Sequence, residues 1–212
     1  MQNQSTPARG QQFDFVAPFA GKCGQALQFI LIGSLVFNLL LTILGPIAEI
    51  TSKAYYIIMI LLSSGLSIYG FFQLYSSANS VCLKRTAILF ILAEALFALG
   101  VITADMGISA IMRPERMITN SVLMCVSFVL FIMAPAVLLG DERVTSSDIK
   151  KSWPVWIGAF RLIVVSILGF LFFSLDNPKL VVALLGIINF AITYFMWTTI
   201  LAPEQSILNQ KK

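Results

Sequence analysis

Residues Thr86 to Ala104 read TAILFILAEALFALGVITA, an apolar run broken by a single charged residue, Glu94. About 20 such residues, rising 1.5 Å each, cover the hydrocarbon core of a bilayer. Inside lipid only a helix or a closed barrel satisfies every backbone group internally. The run therefore predicts a transmembrane helix, and five more of the same kind lie at approximately 27–44, 55–75, 118–139, 155–175 and 180–201. Together they predict an all-α fold: a polytopic integral membrane protein with six transmembrane helices in a compact bundle.

Composition agrees. The 212 residues are 58% hydrophobic and 11% charged, and the mean hydropathy is +0.89, outside the range of soluble domains. Six spans use most of the chain. Residues 1–24 are expected to form a polar N-terminal tail, 25–203 the transmembrane domain and 204–212 a short C-terminal tail. The polar, Gln-rich start is not expected to be a cleavable signal peptide. Within it, Phe13-Asp14-Phe15-Val16-Ala17-Pro18-Phe19 suggests a segment at the membrane interface or docked on a neighbour.

Orientation follows from the basic residues. Six spans put both termini on one side, with Arg9, Lys22, Lys84, Arg85, Arg143, Lys150, Lys151, Lys211 and Lys212. The other side holds Lys53, Arg113, Arg116 and Lys179. Both termini are thus predicted cytoplasmic. Asp176-Asn177-Pro178-Lys179 predicts a tight hairpin between the fifth and sixth spans. Tyr55, Tyr56, Tyr75, Trp153, Trp156 and Trp197 are expected to anchor span ends at the interface. The charged loop Gly140 to Trp153 is expected to be solvated, with Lys150 and Lys151 near anionic headgroups.

The chain contains no histidine. Haem ligation by histidine, His-containing zinc sites and histidine-activated serine or cysteine nucleophiles are excluded. Cys23, Cys82 and Cys125 form no CxxC pair and read as incidental small apolar residues. No span contains Asp or Lys, which excludes a two-aspartate protease and a lysine Schiff base. No dense basic cluster with interleaved aromatics appears, so nucleic acid is not an expected partner. No catalytic group, metal site or cofactor is expected.

Two charges remain inside the spans: Glu94 in the third and Arg161 in the fifth. Glu94 lies eight residues from the inner end of its span and Arg161 six from the same side, hence at depths of about 12 and 9 Å. Small residues flank both, Ala87 and Ala98 beside Glu94 and Gly158 beside Arg161, which permits close helix approach. Three readings follow. The two form a buried ion pair that fixes which helices are neighbours. Or Glu94 is a protonatable carrier tuned by Arg161. Or Arg161 snorkels to the interface and Glu94 is satisfied elsewhere. Asn38 and Asn189 are the other candidate interior polar residues, each expected to hydrogen-bond across a helix interface. Pro135 predicts a bend in the fourth span by freeing the carbonyl of Phe131. Ser67-Ile68-Tyr69-Gly70-Phe71 echoes Ser166-Ile167-Leu168-Gly169-Phe170, a faint hint of two three-span units.

With no motif and no soluble domain, the leading expectation is a non-catalytic accessory or scaffold subunit of a larger membrane assembly. Its partners would be the lipid bilayer, other membrane subunits and, in a homo-oligomer, further copies of itself. The alternative is a small-solute or proton-coupled permease using Glu94.

Overall fold

A computed structural model describes residues 21–44, 48, 52–78, 80–103, 114–138, 156, 163, 167 and 178–210. All regular structure among them is helical. Helix α1 spans Gly21–Leu35 and continues as a π-helix, π1, over Val36–Leu44. It is followed by α2 (Lys53–Ser77), α3 (Val81–Thr103), α4 (Pro114–Leu138) and α5 (Pro178–Gln210). Among the described residues five helical segments, one of them the combined α1–π1, are long and apolar enough to cross a membrane. By length and composition the chain is an integral membrane protein.

The helices outrun the predicted spans. The first begins at Gly21, inside the expected polar tail, and α3 begins five residues ahead of Thr86. The last runs to Gln210, past the expected span end at Leu201 and past Pro203. The physical reason is that hydropathy marks only the lipid-embedded part, while backbone hydrogen bonding carries a helix on into the headgroup zone. Of the predicted fifth span, Trp156, Ile163 and Ile167 are described, each helical and exposed, on one helical face. Arg161, the Phe13–Phe19 patch, the loop from Gly140 to Trp153, Asp176-Asn177 and the Ser166–Phe170 half of the echo lie outside the described residues.

The turn from α2 to α3 is short. The N–H of Ala78 closes α2 onto the carbonyl of Leu74, and Ser80 caps α3 by accepting the N–H of Leu83 at 3.3 Å. The chain then runs antiparallel, and α1–α2 and α3–α4 make the most extensive pairings, with α5 against α1 and π1. Lipid tails are as apolar as leucine, so these contacts rest on close van der Waals packing and interhelical hydrogen bonds.

Both devices are visible. A Cβ on Gly33 would stand 2.8 Å from the carbonyl oxygen of Ser63, and one on Gly70 2.8 Å from the backbone nitrogen of Ile30. Only glycine lets α1 and α2 approach backbone to backbone. Between α3 and α4, hydroxyls donate across the groove. Thr86 Oγ1 reaches the carbonyl of Ala134 at 3.1 Å, and Ser127 Oγ that of Ala93 at 2.9 Å. At the far end Asn120 Nδ2 donates to the carbonyl of Thr103 at 3.0 Å. These bonds fix one antiparallel register from end to end. Helix α4 continues through Pro135, which is fully buried.

The core divides in two. The larger part gathers Ala26, Leu27 and Ile30 of α1, Phe71 and Leu74 of α2, Leu83, Ala87 and Phe90 of α3, Phe131 and Leu138 of α4, and Met196 and Trp197 of α5. The smaller is Leu41, Ile60 and Ala98, toward the opposite end of the bundle. Large apolar side chains such as Ile58, Phe72, Val122, Ile187 and Phe195 point outward, a surface suited to lipid rather than water.

Candidate functional site

Between the two core clusters, about halfway along the five helices, lies a cavity of about 150 Å³. Glu94, Asn38 and Asn189 all line it, so the structure brings together three of the four site residues singled out from sequence. The fourth, Arg161, lies outside the described residues, and so does any contact it makes with Glu94.

Glu94 sits on the face of α3 that also carries Ala87, Phe90 and Ala98, all buried. Its Oε2 accepts a hydrogen bond from Ser64 Oγ of α2 at 3.1 Å. That bond joins α2 to α3 at the depth of the cavity.

Asn38 is 3% exposed and belongs to π1. Its Nδ2 donates to the carbonyl of Ser34 at 2.8 Å and to Ser34 Oγ at 3.2 Å. Its Oδ1 accepts from Asn189 Nδ2 of α5 at 3.0 Å. The expectation that each asparagine bonds across a helix interface is thus met by the two bonding to each other, between the first and last helices. Gly186, one turn before Asn189, permits this: a Cβ there would stand 3.1 Å from the carbonyl oxygen of Asn38 and against Thr42 Oγ1.

The π-helix was not legible from the sequence, and the site explains it. A π-helix shifts backbone bonding from i+4 to i+5 and loosens the ladder. Here side chains serve the carbonyls in and just before it. Ser63 Oγ donates to Gly33 O at 2.9 Å, Asn38 Nδ2 to Ser34 O, Thr42 Oγ1 to Asn38 O, and Tyr55 Oη to Leu40 O at 2.7 Å. Tyr55 therefore braces π1 in addition to lying near a span end. π-helical turns often accompany functional sites, where they re-aim a side chain.

The cavity has two kinds of wall. One is polar, with Ser34, Asn38, Ser67, Glu94, Asn189 and Thr193. The other is aromatic. Phe71 and Phe90 stack at 4.7 Å between centroids, and Trp197 leans on both at 5.3 and 5.4 Å. Phe131 and Phe97 extend the ring cluster. Trp197, expected at the interface, is only 1% exposed and is a core residue. Its ring is surrounded by other aromatic rings rather than headgroups. Lys84 Nζ lies 5.9 Å from the centroid of the exposed Tyr75 ring.

Two buried polar groups lining the cavity are unpaired among the described residues. Ser67 is 4% exposed and its hydroxyl makes no hydrogen bond among the described residues, and the same holds for the indole N–H of Trp197. The side-chain carbonyl of Asn189 likewise accepts none there. Buried polar groups nearly always have partners, and Ser67 and Trp197 line the cavity with none among the described residues.

Sequence reasoning found the carboxylate and the two amides and passed over the hydroxyls and the aromatic wall. The available signal was spacing. Ser34–Asn38, Ser63–Ser67 and Asn189–Thr193 each lie four apart, one helical turn, so each pair shares a face. The Asn38–Asn189 bond is measurable: a double-mutant cycle with Asn38→Ala and Asn189→Ala is expected to give a coupling of about 0.6–1.7 kcal/mol. Strict additivity would show that the two amides do not interact.

Known proteins supply no further guide: no family model, curated protein or solved structure matches the chain.

Proposed function

We propose that this chain is a small-solute permease that holds its solute in the cavity halfway across the bundle. In this reading the bundle has six spans with both termini cytoplasmic. Glu94 is the charged contact, Asn38 and Asn189 are the polar ones, and Arg161 is the countercharge that keeps Glu94 ionised.

One observation carries the proposal. A helix bundle with a purely structural task gains by filling its centre, because its stability rests on packing. Here a cavity of about 150 Å³ stands at mid-span instead, lined by a carboxylate, two amides and buried hydroxyls, groups suited to pair with a bound solute. Midplane sites between helices with irregular backbone are also where secondary transporters bind their substrates, and π1 supplies such a backbone. The accessory-subunit reading, with other membrane subunits or further copies as partners, draws on what the sequence lacks. The cavity is a positive feature, and it decides our choice.

The test is solute flux into proteoliposomes, followed by light scattering with urea, glycerol, ethanolamine and choline as separate solutes. Wild-type vesicles are expected to pass at least one of them about tenfold faster than protein-free vesicles. Glu94→Gln is expected to remove that flux while reconstituting normally, since the amide keeps a side-chain oxygen to accept from Ser64 and loses only the charge. Wild-type rates equal to empty vesicles for all four, together with a stable co-purifying subunit in native mass analysis, would replace the permease by the accessory subunit.

A further inference from the structure

On the outside of the bundle, the groove between α2 and α3 faces lipid along its length and meets cations at one end. Three contacts set the register of the two helices: Ser64 on Glu94, Phe71 stacked on Phe90, and the Tyr75 ring beside the Lys84 ammonium. That register brings Phe72 level with Ile88 and Gly65 level with Ala95. All four are exposed, Phe72 at 60% and Ile88 at 43%. Gly65 and Phe72 lie seven residues apart, as do Ile88 and Ala95, so each pair shares one face of its helix. At Gly65 the groove is open, because a Cβ there would meet nothing within 4 Å.

Toward the turn between the helices the same groove reaches Tyr75, Lys84 and Arg85. Arg85 is exposed and Lys84 half-buried, and neither makes an ion pair among the described residues. Helix α1 runs antiparallel to α2 with Ala26 against Gly70, so Lys22, one turn before Ala26, stands at this end too. It is likewise exposed and without an ion pair there. Of the acidic residues in the described helices, Glu204 of α5 alone falls at this end. Three cations therefore share one end of the bundle with a single acidic residue.

The depth of the cations matches the phosphates of a bilayer. Arg85 immediately precedes the apolar run 86–104, where hydrocarbon gives way to headgroups. Basic residues at this depth attract anionic lipids. A free anion would use the charges and leave the groove below them without a task. A neutral lipid would use the groove and leave the charges unpaired. A lipid carrying a net negative charge satisfies both.

We propose that the groove between α2 and α3 holds one anionic phospholipid, its phosphate at Lys84 and Arg85 and an acyl chain along Phe72, Ile88 and the open space at Gly65. The Tyr75 ring holds the Lys84 side chain at the rim of the groove. None of these residues lines the central cavity, so the lipid site stands whatever the cavity carries.

Native mass spectrometry of the purified protein in mixed micelles tests this, with dioleoyl phosphatidylglycerol and dioleoyl phosphatidylcholine titrated in parallel. The acyl chains are identical and the headgroup charge differs. One phosphatidylglycerol is expected to stay bound with about 25-fold preference over phosphatidylcholine, roughly fivefold for each of two basic residues. Lys84→Gln combined with Arg85→Gln is expected to abolish the preference, whereas Lys22→Gln is expected to keep most of it. Gly65→Leu, which fills the groove and leaves both cations in place, is expected to release the lipid. A wild-type protein without the preference, or a preference that survives the double change, overturns the site. Equal loss with Lys22→Gln would show a diffuse field in place of a site, and unchanged retention by Gly65→Leu would remove the acyl chain from the groove; either result overturns the proposal.

Discussion

Gly70→Ala is expected to destabilise the bundle by about 3 kcal/mol, the upper end of what over-packing costs. Gly65→Ala, five residues earlier on the same helix, is expected to leave stability unchanged or raise it by up to about 1 kcal/mol. Both substitutions add one methyl group and both improve helix propensity. They differ in what the methyl meets. At Gly70 it would stand 2.8 Å from the nitrogen of Ile30 and 2.9 Å from the carbonyl oxygen of Ala26, whereas at Gly65 nothing lies within 4 Å. Backbone atoms cannot swing aside as a side chain can, so α1 must move away from α2. That movement would also break the bond from Ser63 to the carbonyl of Gly33. Reversible unfolding in mixed micelles, followed by circular dichroism, measures the difference. Equal stability of the two variants would show that α1 and α2 are not in backbone contact.

Trp197→Ala is the second large effect, expected to cost about 3 kcal/mol, the lower end of the range for such truncations in water-soluble cores. The lower end applies because an unfolded span still keeps its tryptophan in lipid, so little transfer energy is lost. What is lost is packing: the indole is 1% exposed and touches the stacked Phe71 and Phe90 rings. The new space would join the existing cavity, which the surrounding helices cannot collapse to fill. Phe72→Ala is the control. Phe72 neighbours Phe71 in sequence but is 60% exposed, and its truncation is expected to change stability by about 0.5 kcal/mol or less. The same unfolding assay reads both variants. A Trp197→Ala protein as stable as Phe72→Ala would return Trp197 to the interfacial role that its sequence position suggests.

These contrasts also mark how far the chain could be read without its fold. Glu94 was found because a charge stands out in an apolar run, and Asn38 and Asn189 because amides do. Ser67 did not stand out, since a serine in a span is common and its hydroxyl is ordinarily satisfied by its own helix. Trp197 was assigned to the interface because it lies near a span end. Its inward direction depends on the rotation of α5 against α2 and α3, which no linear pattern records. The π-helix at Val36–Leu44 depends on donors from other places in the chain, Ser63 and Tyr55 among them.

Sequence alone determined the solvent and the helices: apolar runs of this length have no other way to satisfy their backbone in lipid. It also located the charge and the two amides that line the cavity. Only the tertiary structure decided which face of each helix turns inward. In a water-soluble bundle the polar face would have announced this. In a bilayer, lipid-facing and core-facing residues are alike apolar, so Phe71 and Phe72 are indistinguishable until the helices pack. The cavity, its unpaired hydroxyl and its aromatic wall arise from that packing.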